Sequence, residues 1–469
     1  MKQFYFKGVT VFLITVFLQF SCLQTVHAFS IGEEREVGEK LLYTVRTAFP
    51  LLDDPDLVQY VSSLGKDVLD VAGMQYFDYR FFVIKDDEFN AFAAPSGLVF
   101  FYSGLIGAMN SEDELVSVLA HEIGHVAKRH LAGQVEKGKL IGAASIAVAL
   151  GALALGGGAA TQALFTGSMA AGQSARLHYS RKHEEEADLL AYGWMKKLQR
   201  NPESQKKMLD TMRRIARYRS EKLPQYLLTH PNPEARLDYV QTLLKIDEQE
   251  LASFSGHDNF SFLRFKYRIM AEASDSNMFR QYLSSVMADS RAPDFAKTMA
   301  KYGMSQLERR ENNFKRSMEL LDEVIASLPG QPLLQTDKGV LFYAAGDFEG
   351  ARTALESACK ADAKDMYAVF NLGKAYQALG NINQAEDRYR TVSYELPEYP
   401  KVYFELGKIA SQKKQNNRAS LLLGKFYLYE GKLDLARFSL EKLAEDTSVN
   451  NKEHAEAETL LETIERIEK

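Results

Sequence analysis

Leu115-Val-Ser-Val-Leu-Ala-His121-Glu122-Ile-Gly-His125-Val-Ala-Lys-Arg-His130 reads as one amphipathic helix carrying the pattern H-E-x-x-H. Residues four apart on an α-helix stand one turn apart on the same face, so His121 and His125 can offer two imidazoles to one ion. Glu122 then stands beside that ion rather than on it, where a general base would deprotonate a metal-bound water whose pKa the ion lowers to about 7. The pattern implies metal-assisted peptide hydrolysis; the bland alternative is a buried helix with two incidental histidines, so its surroundings have to decide. Ser111 followed by Glu114 reads as a capping box, and Glu112 and Asp113 add negative charge at the positive end of the helix. Leu115, Val118 and Leu119 form a stripe that holds the helix in a core, while Gly124 leaves it thin where a neighbouring element or a substrate must approach.

Upstream, Ser30 and Glu33 form another capping box before a helical pattern over Glu34 to Val45, and a second helix runs from Pro55 to about Val71. Tyr79–Ile84 and Leu98–Tyr102 are rich in aromatic and β-branched residues and read as strands, with the Pro95-Ser96-Gly97 turn before the second. Between them lies Asn90-Ala91-Phe92-Ala93-Ala94. One reading makes Asn90, Ala91, Phe92 and Ala93 an edge strand that binds a substrate main chain by strand addition; the other makes the segment an ordinary hairpin. Spacing leaves both open.

Downstream, the stretch from Leu140 to Ala175 is uncharged and broken at Gly156-Gly157-Gly158. It reads as two helices with a joint, packed over or beside the cleft, with a membrane-dipping hairpin as the sharper alternative. Then comes Ser180-Arg-Lys-His183-Glu184-Glu185-Glu186-Ala-Asp188. Two histidines and an open position require a third protein ligand, and Glu184 with Asp188 four residues later can place a ligand and a supporting carboxylate on one face. By chemistry alone His183, Glu185 and Glu186 compete. His130 does not fit the longer three-histidine motif, whose third histidine falls where this chain has Leu131.

HEIGHVAKRH followed by SRKHEEEADLLAY, with NAFAAPSGLVFFYSGL before and THPNPEARL after, resembles the zincin family that includes the CAAX prenyl proteases and the HtpX-type membrane proteases. The resemblance implies a zinc endopeptidase with one Zn2+ per chain held by His121, His125 and Glu184. It implies Glu122 as the catalytic carboxylate and Asp188 as a supporting residue, and sets His183 aside. The family's T-H-P-x-x-x-x-R motif matches Thr229-His230-Pro231 through Arg236, which places Arg236 among the supporting residues. In relatives the matching histidine either occupies the open zinc position and keeps the enzyme latent or helps stabilise the tetrahedral intermediate. His230 is expected to approach the metal in one of these roles, with latency favoured.

At 469 residues the chain is too long for one ordinary core. Its net charge of -5 argues against a nucleic-acid partner. Lys2 and Lys7 precede an apolar run from Val9 to Phe20, and Val26-His27-Ala28 offers a cleavage site, so residues 1–28 read as a signal peptide. Cys22 raises lipidation, but the residues before it do not match a lipobox. With that segment removed Cys359 is the one remaining thiol, which rules out an intramolecular disulfide.

Past residue 258 a period appears. Leu372-Gly373 recurs as Leu406-Gly407, Gly346 as Gly380, and Ala351 as Ala385 and Ala419, each interval being 34 residues. Ser317 continues the series one unit earlier. That is the tetratricopeptide period, in which small residues let paired helices pack closely. Gly431 and Ala436 repeat the Gly380 and Ala385 pattern at one and a half periods, so the helix over 418–430 is expected to serve two units. The fold expected is mainly α: an α+β zincin-type peptidase domain with a small sheet over 29–257, then an all-α tetratricopeptide solenoid over 258–469.

An exported peptidase of this family joined to such an array resembles envelope proteases of Gram-negative bacteria. The resemblance implies a periplasmic location, peripheral membrane contact through 140–175, and quality control of outer-membrane proteins. Its partners would be unfolded or misassembled proteins and, through the repeats, the outer-membrane β-barrel assembly machinery. Two rivals stand beside it: a chaperone or scaffold acting through its repeats with a silent metal site, and an integral membrane protease built on 140–175.

Overall fold

The protein is described by a computed structural model that covers residues 30–136, 179–218, 224–254, 259–445 and 451–468. The expected signal peptide, Cys22 and the uncharged stretch 140–175 lie outside the described residues. Among those described, no helix is long and apolar enough to cross a membrane.

The chain opens on α1 (Ile31–Ala48), whose capping box between Ser30 and Glu33 is formed in both directions, and α2 (Pro55–Ala72), capped by Asp54. Three strands follow: β1 (Arg80–Ile84), β2 (Ala91–Ala94) and β3 (Leu98–Tyr102). Their order is β1-β3-β2, with β3 parallel to β1 and antiparallel to β2. Strand β2 is thus both the arm of a hairpin and an edge of the sheet. Every residue of β2 and β3 is buried, which explains their nearly continuous apolar sequence.

After α3 (Ser103–Ala108) comes α4 (Glu112–Ala127), the helix that bears the histidines, followed by α5 (His130–Glu136). Ser111 caps α4 by accepting the Glu114 N–H, but the Glu114 carboxylate reaches one residue further than expected and accepts from the Asn110 N–H at 2.9 Å. Next are α6 (Arg181–Lys197), α7 (Glu203–Tyr218), α8 (Gln225–Thr229), α9 (Pro233–Ile246) and the single turn α10 (Glu248–Leu251). A methyl group on Gly124 would lie 3.3 Å from the Ala187 Cα, so it is α6 that approaches the thin face of α4.

Helix α11 (Phe260–Ala273) joins the two halves because it has two apolar faces. Phe262, Phe265 and Ile269 enter the core of the sheet and α4. Phe260, Tyr267 and Ala271 enter the core of α12 (Ser276–Ala288), α13 (Asp294–Arg310) and α14 (Phe314–Ser327). Between those faces, buried Arg264 pairs with Asp56 of α2 and with Asp337 of α15 (Leu333–Ala344). The array continues through α16 (Phe348–Ala361), α17 (Met366–Ala378), α18 (Ile382–Glu395), α19 (Pro400–Gln412), α20 (Asn416–Tyr429), α21 (Leu433–Glu445) and α22 (Asn451–Glu468).

The 34-residue period has a visible physical basis. Asn312, Gly346, Gly380 and Lys414 stand 34 apart at the turn inside successive pairs, and all four have positive φ, which favours glycine or asparagine. Ser317, Ala351, Ala385 and Ala419 are buried where the second helix of each pair meets its neighbours. Helix α20 belongs to two pairs, as its half-period spacing implied. It follows α19 as a second helix, while its Gly424 meets Leu440 of α21 as Gly373 of α17 meets Tyr389 of α18. The solenoid turns back along the peptidase half: Glu398 bridges Arg46 and Arg80, and Arg466 of α22 reaches Glu39 of α1.

Candidate metal centre

Helix α4 carries His121, Glu122 and His125 into the core, and α6 brings Glu184 opposite them. The Nε2 atoms of His121 and His125 are 3.0 Å apart, and the Glu184 carboxylate lies 3.5 Å from His125 Nε2 and 3.7 Å from His121 Nε2. For tetrahedral zinc with ligands at about 2.0–2.1 Å, donor atoms stand about 3.4 Å apart, so these separations suit such an ion. His230 completes a group of four whose donor atoms all lie within 4.8 Å of one another.

The hydrogen-bond network fixes which ring nitrogen of each histidine faces the centre. His121 Nδ1 lies 2.9 Å from the Asp188 carboxylate, which can only accept, so that nitrogen carries the proton and Nε2 keeps its lone pair. His125 Nδ1 lies 2.9 Å from His130 Nδ1, and His130 Nε2 lies 3.0 Å from the Glu186 carboxylate. Burial pushes His130 down to about 4, so its ring is neutral; it donates to Glu186 and accepts from His125. On α8, the Thr229 hydroxyl donates to the Tyr226 carbonyl and therefore accepts from His230 Nδ1 at 2.9 Å. All three histidines thus turn an Nε2 lone pair inward.

Electrostatics suit a cation there. Burial pushes His121, His125 and His230 below the ordinary histidine range, so the three rings are neutral donors. Burial also pushes the Glu184 carboxyl well up, and among the described residues neither Glu184 Oε1 nor His230 Nε2 has a hydrogen-bond partner. Buried polar atoms left unpaired are costly, and a divalent ion would answer them together. Two imidazoles and a carboxylate are a donor set suited to Zn2+.

Arg236 of α9 ties the supporting groups together. Its Nη1 is 2.8 Å from Glu184, and its Nε and Nη2 each lie 2.8 Å from an oxygen of Asp188. Although burial raises it, the Asp188 carboxyl is held well below the usual range by Arg236 and His121. Glu122 lies beside the cluster and burial pushes it up to about 8, opposed by the Tyr226 hydroxyl, Arg236 and the Ala93 N–H.

Of the four candidate substrate contacts, two turn their main chain away from β3, and one of them, Ala93, gives its N–H to Glu122. The Asn90 carbonyl accepts from the Tyr102 N–H, so by antiparallel alternation Asn90 and Phe92 bond to β3 while Ala91 and Ala93 face outward. The competing acids and histidine on α6 lie elsewhere: Glu185 is exposed, Glu186 serves His130, and the His183 ring stacks on His130 at 4.4 Å. Sequence reasoning missed three residues. Tyr179 stacks on His125 at 3.9 Å, Tyr226 donates to Glu122 Oε1 at 3.2 Å, and His130 acts through His125.

Residues 55–244 match peptidase family M48, and residues 342–407 match a tetratricopeptide repeat family. The chain is 30% identical to the beta-barrel assembly-enhancing protease of Escherichia coli K12 over 64% of its length and 61% of that protein. The protein of that name from Yersinia pestis is 27% identical over the same shares. The mitochondrial metalloendopeptidase OMA1 of Schizosaccharomyces pombe is 30% identical over 39% of this chain and 52% of its own. The chain therefore matches about three-fifths of the length of its bacterial relatives.

Proposed function

Residues 55–244 carry a peptidase domain of family M48, and from that premise we propose that the chain is a zinc-dependent endopeptidase of the cell envelope. Its substrates are misfolded or stalled exported proteins, outer-membrane proteins among them, and its repeats hold either those substrates or the β-barrel assembly machinery. The observation that carries the reading is the convergence of His121 Nε2, His125 Nε2 and the Glu184 carboxylate, with the Glu122 carboxylate beside them. The names of the bacterial relatives support the substrate class. The signal-peptide pattern of residues 1–28 supports export to the periplasm.

His121, His125 and Glu184 would hold the zinc, which when bound polarises the scissile carbonyl and makes water acidic near neutral pH. Glu122 takes the proton of the attacking water on its carboxylate and returns it to the leaving amine nitrogen. Asp188 and His130 keep the ligand rings in the tautomer that binds metal, and Arg236 orients Glu184. The outward groups of Ala91 and the Ala93 carbonyl align an extended substrate through its main chain, which tolerates many sequences.

His230 serves latency in this reading. Its Nε2 points into the ligand cluster and the ring is wholly buried, so the open position that a substrate carbonyl needs is covered. A genetic experiment separates this account from a scaffold that works through its repeats. In a strain lacking the gene, Glu122→Gln should fail to restore wild-type growth on membrane-perturbing agents. Full restoration would sink the peptidase account.

A further inference from the structure

Tyr226 and His230 stand four residues apart, and they face two different parts of one site. The Tyr226 hydroxyl donates to Glu122 Oε1 at 3.2 Å, and its ring stacks on the His230 imidazole with centroids 4.3 Å apart and planes at 21°. His230 Nε2 lies 3.6 Å from the same carboxylate oxygen, and its ring is 5.4 Å and 5.2 Å from those of His121 and His125. Both side chains are buried.

The segment between them is tied to itself. The His230 N–H donates to the Tyr226 carbonyl at 2.8 Å, the Thr229 hydroxyl donates to that carbonyl, and the same hydroxyl holds His230 Nδ1. Residues 226–230 therefore form one small unit that presents both side chains to the site. A plain core tyrosine would show the packing against Phe89 that this one also has, but would not aim its hydroxyl at the catalytic carboxylate.

We propose that Tyr226 is a positioning residue that holds Glu122 in the closed site, making α8 a two-point clamp. Its contacts, Tyr226 on Glu122 and His230 on the ligand cluster, engage and release together. This rests on the peptidase reading and extends its latency by assigning a second contact. While the clamp is closed, one Glu122 oxygen is already accepting a proton donor, and the open metal position is covered. A closed form that excludes substrate lowers the competent fraction and raises the apparent KM by that factor.

The test uses the mature full-length chain, loaded with zinc, with Tyr226→Phe, His230→Ala and the double variant, and unfolded β-casein as the substrate probe. Tyr226→Phe keeps the ring and the stack and removes only the hydroxyl. Its kcat/KM should rise roughly tenfold, the scale of one hydrogen bond to a charged group, mainly through a lower KM. Hydrogen exchange of the Tyr179 amide, which donates to the Thr229 carbonyl and so ties the unit to the rest of the fold, should quicken by a similar factor while the α4 amides stay unchanged. In the His230→Ala background the same substitution should have little further effect, because the clamp is already released. Glu122→Gln, which removes the charged acceptor, should also quicken Tyr179 exchange. A lower kcat in Tyr226→Phe, or unchanged KM and unchanged Tyr179 exchange, would overturn the proposal. If no variant cleaves casein, the peptidase reading fails, and the exchange rates still decide whether the clamp exists.

Discussion

The Nδ1 atoms of His125 and His130 lie 2.9 Å apart, and the far nitrogen of His130 lies 3.0 Å from the Glu186 carboxylate. A residue that cannot be a ligand thus determines how a ligand presents its lone pair. Groups in this position typically hold about 10- to 100-fold of metal affinity. His130→Ala should lose zinc affinity in that range, measured by competition with a chromophoric chelator. Glu186→Ala should lose less, because that carboxylate is 38% exposed and water can replace it. Unchanged affinity in His130→Ala would mean that the contact does not orient His125.

Asp188 has two duties, orienting His121 and neutralising buried Arg236. Removing one partner of a buried ion pair strands the other, at a cost of about 3–5 kcal/mol. Asp188→Ala should therefore lower both zinc affinity and the midpoint of urea unfolding of the metal-free protein. A loss of affinity with an unchanged midpoint would separate the two duties and remove the structural one.

The distance between α4 and α6 is set by Gly124 against Ala187. Gly124→Val puts methyl groups where the Ala187 backbone stands and pushes Glu184 away from the histidines. Zinc affinity should fall by more than tenfold while far-ultraviolet circular dichroism stays that of a folded helical protein. Wild-type affinity would show that the helices have slack there.

Arg264 joins the two cores by pairing with Asp56 on one side and Asp337 on the other. Arg264→Met leaves Asp337 without its guanidinium, while Asp56 keeps that of Arg268, and should cost about 3–5 kcal/mol. The measurement is urea unfolding followed by circular dichroism and by Trp194 fluorescence, since Trp194 lies in the peptidase core. The two transitions should draw apart in the variant, and coincident transitions with an unshifted midpoint would contradict the bridging role.

Lys266 is buried on α11, its ammonium donates to the Met109 carbonyl at 2.6 Å, and burial pushes its pKa down to about 8. The unfolded lysine holds its proton to about pH 10.4, so between about pH 8 and 10 unfolding takes up a proton. This group therefore makes the fold more stable as pH rises through that window, and charged Lys266 is a burden below it. Lys266→Met should remove that rise from the urea-unfolding free energy. An identical pH dependence in the two proteins would show that Lys266 does not titrate there.

The parts of this molecule legible in its sequence are those fixed by short-range geometry. Four-residue spacing on a helix brings His121 to His125 and Glu184 to Asp188, and a 34-residue spacing of small residues marks each helix pair. Spacing at Asn90–Ala94 left edge strand and hairpin open, and which residues face outward depended on the pairing of Asn90 with Tyr102. The remaining contacts are decided by folding. Tyr226 lies 104 residues from Glu122, and Arg264 lies 208 from Asp56. Tyr226 had one local signal, its position a helical turn before His230. His130 had none, because its role depends on Glu186 arriving from another helix.

The most direct test of the account is cleavage of a urea-unfolded β-barrel outer-membrane protein by the purified mature chain carrying one zinc, compared in four forms: wild type, zinc-stripped wild type, His230→Ala and Glu122→Gln. The account predicts cleavage by wild type, more by His230→Ala, none after zinc removal, and a loss of at least about 10²-fold in Glu122→Gln with its zinc retained. Cleavage that survives zinc removal, or wild-type cleavage by Glu122→Gln, would contradict it.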